Sequence, residues 1–98
     1  MNKVEILKED SLEDYMDEEY LIVVFTLRGC GKCKSIIPDL YKAGDHHKIV
    51  VVDSDIHVRS MSYYPRGETF YPTLAYFKEG KFIKTVSMED IKGKRLWK

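Results

Sequence analysis

The sequence predicts an α/β fold: a central mixed sheet, parallel in its first half and ending in a C-terminal antiparallel hairpin, with helices on both faces. Three observations carry this expectation. Two continuous apolar runs, residues 21–27 and 49–52, are rich in β-branched side chains and have no polar face, as strands buried on both sides do. Between them, apolar residues recur at helical spacing, and alternating strands and helices pair in parallel through crossovers. Near the C-terminus, two strand-like runs are separated only by Glu79-Gly80, a hairpin turn.

Each element has its own local reason. Val4, Ile6 and Leu7 suggest a short first strand. Asp10 reads as a helix N-cap with Glu13 as its capping-box partner, and Leu12, Tyr15, Met16 and Tyr20 would share one face of that helix. Residues 21–27 form the buried central strand. From Cys33, apolar residues fall at Ile36, Ile37, Leu40 and Tyr41, a helix facing a core. Pro38 would kink that helix, and Gly44 would end it. Residues 48–53 form another buried strand. Residues 55–64 suit either a short helix or a turn-rich crossover, and Tyr63-Tyr64-Pro65-Arg66-Gly67 marks a break. Residues 72–77 and 81–86 are the strands of the hairpin. Ser87, with Asp90 at the third position, would cap a last helix over roughly residues 88–97, weakened by Gly93.

At 98 residues and 44% apolar composition, one globular domain spanning 1–98 is expected. No apolar run is long enough to span a membrane. Met1-Asn2-Lys3-Val4-Glu5 lacks a secretory pattern, so a cytoplasmic protein with reduced thiols is expected. The net charge is zero, but residues 1–20 hold eight acids against two bases, while the other bases are scattered. A solvated helix face accounts for the acids better than a docking surface does, and no basic patch points to nucleic acid.

The two cysteines, Cys30 and Cys33, stand in Cys30-Gly31-Lys32-Cys33, between the buried strand and the helix. That is where redox chemistry is expected, because a helix N-terminus lowers a thiol pKa and the thiolate is the nucleophile of disulfide exchange. The alternatives are a metal site or a structural pair of thiols. A zinc site would need two more ligands, and neither His46 nor His57 has a second histidine at finger spacing. His46 and His47 are expected on the surface after Gly44.

The chain resembles the thioredoxin-like superfamily over nearly its full length, in three separate pieces. Cys30-Gly31-Lys32-Cys33-Lys34 is followed by Pro38 at the family's helix-kink position. Tyr71-Pro72-Thr73-Leu74 is similar to the family's cis-proline loop, and Phe77-Lys78-Glu79-Gly80-Lys81 to its last hairpin. There are departures as well. Gly29 and Lys32 replace the usual tryptophan and proline, and Thr26-Leu27-Arg28-Gly29-Cys30 is closer to a glutaredoxin. Val24 and Val51 stand where thioredoxins bury an aspartate and its lysine neighbour. Losing both charges together makes sense, since a lone buried charge is costly.

The resemblance implies a small dithiol-disulfide oxidoreductase that reduces protein disulfides without a cofactor or metal. Cys30 would attack and Cys33 would resolve the mixed disulfide. Arg28 and Lys32 would stabilise the Cys30 thiolate. Gly31, Lys32, Tyr71, Pro72 and Thr73 would meet the substrate, with Pro72 cis and the Tyr71 backbone pairing with the bound peptide. Among Tyr63, Tyr64, Phe70 and Tyr71, only Tyr71 is expected to make that contact. Thioredoxin reductase or glutathione would supply electrons to a monomeric protein, with ribonucleotide reductase a family-type client. The added charge of Lys32 should make it a weaker reductant than thioredoxin, whose potential is about −270 mV. With Val24 in place of the aspartate, Cys33 would lose its proton to water or to the departing thiolate. The alternative function is a thioredoxin-fold binding module in which the thiols are incidental.

Overall fold

The computed structural model describes residues 3–44 and 47–92. Strands β1 (Val4–Ile6), β2 (Tyr20–Thr26), β3 (Ile49–Asp53), β4 (Thr73–Lys78) and β5 (Lys81–Val86) form one sheet in the order β1-β3-β2-β4-β5. β3 runs parallel to β1 and β2, β4 runs antiparallel to β2, and β5 runs antiparallel to β4. β2 lies at the centre because its run can be buried on both faces, and Leu21 through Phe25 are all buried.

Strand alternation sends these side chains into two cores. On one face Ile22, Val24, Ile49, Val51, Leu74 and Tyr76 meet Leu40, Ala43 and Ile91 of the helices. The helices there are α1 (Gly31–Ser35), α2 (Ile37–Ala43) and α3 (Met88–Lys92). On the other face Leu21, Val23, Phe25, Val50, Val52, Ala75 and Phe77 pack with Leu7 and Leu12. Burying one such aliphatic or aromatic side chain is worth about 1.5–3 kcal/mol.

The expected helix after Cys33 is present but broken at Ile36, which ends α1 and opens α2. Pro38 has no N–H to give to the carbonyl four residues back, so the kink falls there. Gly44 caps α2, its N–H donating to Leu40 O at 2.9 Å. In the β4–β5 turn, Glu79 and Gly80 have φ of 51° and 81°, the left-handed pair that a tight hairpin requires. A Cβ on Gly80 would also sit 3.1 Å from Met16 O.

Three local expectations are corrected. The first helix is a single 3₁₀ turn, Leu12–Tyr15, and Tyr20 belongs to β2. Asp17, Glu18 and Glu19 follow that turn, where negative charge opposes the helix dipole and discourages extension. Asp10 does not form a capping box with Glu13. Its carboxylate accepts from the amides of Arg59 and Ser60 at 2.6 and 2.7 Å and from the Ser60 hydroxyl at 2.6 Å. Ser60 Oγ in turn accepts from Leu12 N–H at 3.2 Å, tying the two segments together. Finally, His47 is buried rather than on the surface, with Nε2 3.3 Å from Ile91 O of α3. His46 and the expected helix beyond Lys92 lie outside the described residues.

Residues 55–64 are a turn-rich crossover with one 3₁₀ turn, Ser60–Tyr63. The expected cap of α3 is present and reciprocal. Ser87 N–H donates to Asp90 Oδ2, and Asp90 N–H donates to Ser87 Oγ, both at 3.1 Å.

Candidate active site

The dithiol stands where β2 gives way to α1. The chain turns through Leu27, Arg28 and Gly29, with Cys30 N–H donating to Leu27 O at 3.3 Å. Gly29 has φ of 76°, which a tryptophan would rarely adopt, so glycine here is set by the backbone of this turn. No atom lies within 4 Å of the position a Cβ would take, so space is not the constraint.

Cys30 is the N-cap of α1 and is disulfide-bonded to Cys33, with their Cα atoms 5.3 Å apart. Cys33 N–H donates to Cys30 Sγ at 3.2 Å. The first turn of the helix therefore aims an amide at this sulfur, the arrangement that favours a thiolate. Cys30 is half-buried, while Cys33, one turn in, is only 3% exposed. Gly31 and Lys32 are exposed between them, with open space around Gly31.

A second loop closes over the pair. The Tyr71-Pro72 bond is cis, as expected, and Tyr71 O lies 3.8 Å from Cys30 Sγ. Thr73 is buried, and its hydroxyl donates to Phe70 O and lies 3.0 Å from Tyr64 Oη. Tyr64 stacks on Tyr71 with ring centroids 5.5 Å apart and meets the edge of Phe25 at 5.1 Å. Burial raises the Tyr64 phenol pKa, partly offset by the hydrogen bond with Thr73. Thr73 thus holds the loop's shape through its side chain. Phe70 is 78% exposed beside Tyr71.

Behind the dithiol, Val24 and Val51 pair directly across the β2–β3 ladder and are both buried. One step further along the same face, Thr26 pairs with Asp53. Cys33, Ile37, Val51, Arg28, Lys34 and Asp53 line a cavity of about 200 Å³, together with Thr26 and Leu27. Asp53 was not singled out from the sequence, although alternation places residues 49, 51 and 53 on one face. Arg28 turns towards it, with Nε 3.4 Å from Asp53 Oδ2, and the Arg28 amide donates to Asp55 Oδ2 at 2.9 Å. The Arg28 charge is therefore shared with a carboxylate. Lys32 makes no ion pair among the described residues.

Among the described residues, no group of three His, Cys, Asp or Glu side chains is placed to hold a metal ion. None of their helices is long and apolar enough to cross a membrane. The thioredoxin family model matches residues 3–96. The chain belongs to the thioredoxin family. A thioredoxin of Chlamydia muridarum (strain MoPn / Nigg) is 28% identical over 89 residues, 89% of this chain and 87% of that protein. The fold is similar to that of a Schistosoma mansoni thioredoxin, at TM-score 0.78 and 24% identity, over 94% of this chain and 92% of that one. It is equally similar to a Nicotiana alata thioredoxin, at TM-score 0.78 and 18% identity, over 98% and 92% of the two chains. As a member of the thioredoxin family with a paired Cys30 and Cys33, the protein is a dithiol-disulfide oxidoreductase acting on protein disulfides.

Proposed function

We propose that the two sulfurs have separate roles in a single-domain, monomeric protein reductant. Cys30 attacks the substrate disulfide, forming a mixed disulfide and releasing the first substrate thiolate. Cys33 then attacks Cys30, forming the Cys30–Cys33 bond and releasing the second. The observation that carries this reading is the asymmetry of the pair: the half-exposed sulfur receives the helix amide at 3.2 Å, and its partner is buried. The substrate segment lies along Tyr71 and Pro72, over Gly31 and Lys32, with the loop held by Thr73. Lys32 supports the thiolate more strongly than Arg28, whose charge Asp53 offsets.

Insulin reduction tests this directly. Cys30→Ser should abolish it, and Cys33→Ser should trap a mixed disulfide with the substrate. Partner binding that survives Cys30→Ser, with no reductase activity in the unaltered protein, would favour a binding module. The setting is the cytoplasm, as an electron carrier recharged by thioredoxin reductase rather than by glutathione, although the turn before Cys30 is glutaredoxin-like. A ribonucleotide reductase is a client by family analogy. Comparing reduction rates with thioredoxin reductase and with glutathione identifies the donor.

A further inference from the structure

Release of the substrate requires Cys33 to lose its proton, and Cys33 is buried. On β2, the position where the resemblance to thioredoxins implies a carboxylate is Val24, paired with Val51 and buried with it. The cavity that Cys33 lines nevertheless contains a carboxylate, two residues further along β3. Its polar lining side chains leave little choice. Lys34 and Arg28 are cations, and the Thr26 hydroxyl already donates to Val52 O at 2.8 Å. Asp53 is the one carboxylate among the described residues lining the cavity, and its side chain is 28% exposed, at the mouth. Asp55 Oδ2 accepts from the Arg28 amide, and His57 Nδ1 accepts from the Asp53 amide at 3.1 Å.

We propose that Asp53 is the proton acceptor for Cys33 in the resolving step, taking the place of a buried carboxylate on β2. The inference rests on the sulfur roles assigned above. The Cys33 proton passes to an Asp53 carboxylate oxygen through a water in the cavity, which is wide enough for one. The Cys33 thiolate forms its bond to Cys30 Sγ as the Cys30–substrate bond breaks. The substrate thiolate leaves with the electron pair and takes a proton from solvent, and Asp53 returns its proton to solvent at the cavity mouth. Arg28 holds the carboxylate in place. Among the described residues, the charged or titratable groups around Asp53 are Arg28, Lys34, Asp55, His57 and Cys33 itself.

Single-turnover reduction of a fluorescent disulfide substrate separates the two steps. Asp53→Asn should accumulate the mixed disulfide and slow release by at least about tenfold at neutral pH. The deficit should shrink as pH rises and Cys33 ionises unaided, and Asp53→Glu should recover most of the rate. Attack by Cys30, read in a Cys33→Ser background, should be unaffected by Asp53→Asn. Release within twofold of the unaltered protein at every pH overturns the proposal, as does an equal loss in the attack step. A Cys33→Ser protein that still turns over would instead overturn the sulfur assignment. A normal trap combined with unchanged Asp53→Asn release overturns Asp53 alone.

Discussion

Two rungs of the β2–β3 ladder, successive on the same face of the sheet, have opposite character. At the inner rung Val24 and Val51 are both buried in an apolar core. At the outer rung Thr26 hydrogen-bonds to Val52 O, and Asp53 meets Arg28 at 3.4 Å. The rungs are separated by two residues, roughly 7 Å along a strand. That step takes a side chain from a site where a charge would lose its water to one where solvent and a cation support it. A carboxylate can therefore stay beside Cys33 without being buried, provided it moves outward along the neighbouring strand. In this protein Asp53 and its cation partner Arg28 stand 28% and 68% exposed at the outer rung, while the inner rung contributes only packing.

The largest expected effect comes from reversing the inner rung. Val24→Asp should lower stability by about 3 kcal/mol in urea unfolding, because its carboxylate would have no partner. Adding Val51→Lys should restore part of that loss. Unchanged stability of Val24→Asp would remove the contrast between the rungs. On the solvent side of the dithiol, Lys32→Pro should make the protein more reducing by about 30 mV against glutathione, equivalent to about 1.4 kcal/mol of thiolate stabilisation. A potential of the unaltered protein at or below about −270 mV would argue against any role for Lys32. The smallest effect belongs to the outer rung, where Thr26→Val should cost about 1 kcal/mol through its lost hydrogen bond to Val52. A larger loss would show that this rung also bears on the core.

Two capping signatures in the chain show how far local reading extends. Ser87 and Asp90 form the reciprocal box that their spacing predicts. Asp10 and Glu13 carry a similar signature, yet Asp10 binds amides of Arg59 and Ser60, about fifty positions away. A carboxylate at a helix start signals a need for N–H donors, and local spacing does not say which donors will be nearest after folding. Burial works against ionisation of Asp10, but its bonds from Ser60 and Arg59 outweigh it and hold the carboxyl below the ordinary range. Its folded pKa is depressed, so its contribution is present above the unfolded value, about 3.9, and is lost as pH falls through the folded one. The melting temperature should therefore fall more steeply below about pH 4 in the unaltered protein than in Asp10→Asn. Parallel acid profiles would show that the Asp10 contacts contribute nothing ionic.

The strands, the hairpin turn, the kink at Pro38 and the pairing of Cys30 with Cys33 could all be read from the sequence. Each depends on residue type, on periodicity or on neighbours within one helical turn. The sequence also showed, through Val24 and Val51, that the usual interior charges are missing. Tertiary structure decided the rest. It reduced the first helix to a 3₁₀ turn tied to Ser60, buried His47 under α3, left Phe70 exposed and brought Asp53 to the cavity of Cys33. These outcomes depend on which distant segments become neighbours. Strand order and register set that, and the local propensities that define each element do not encode it.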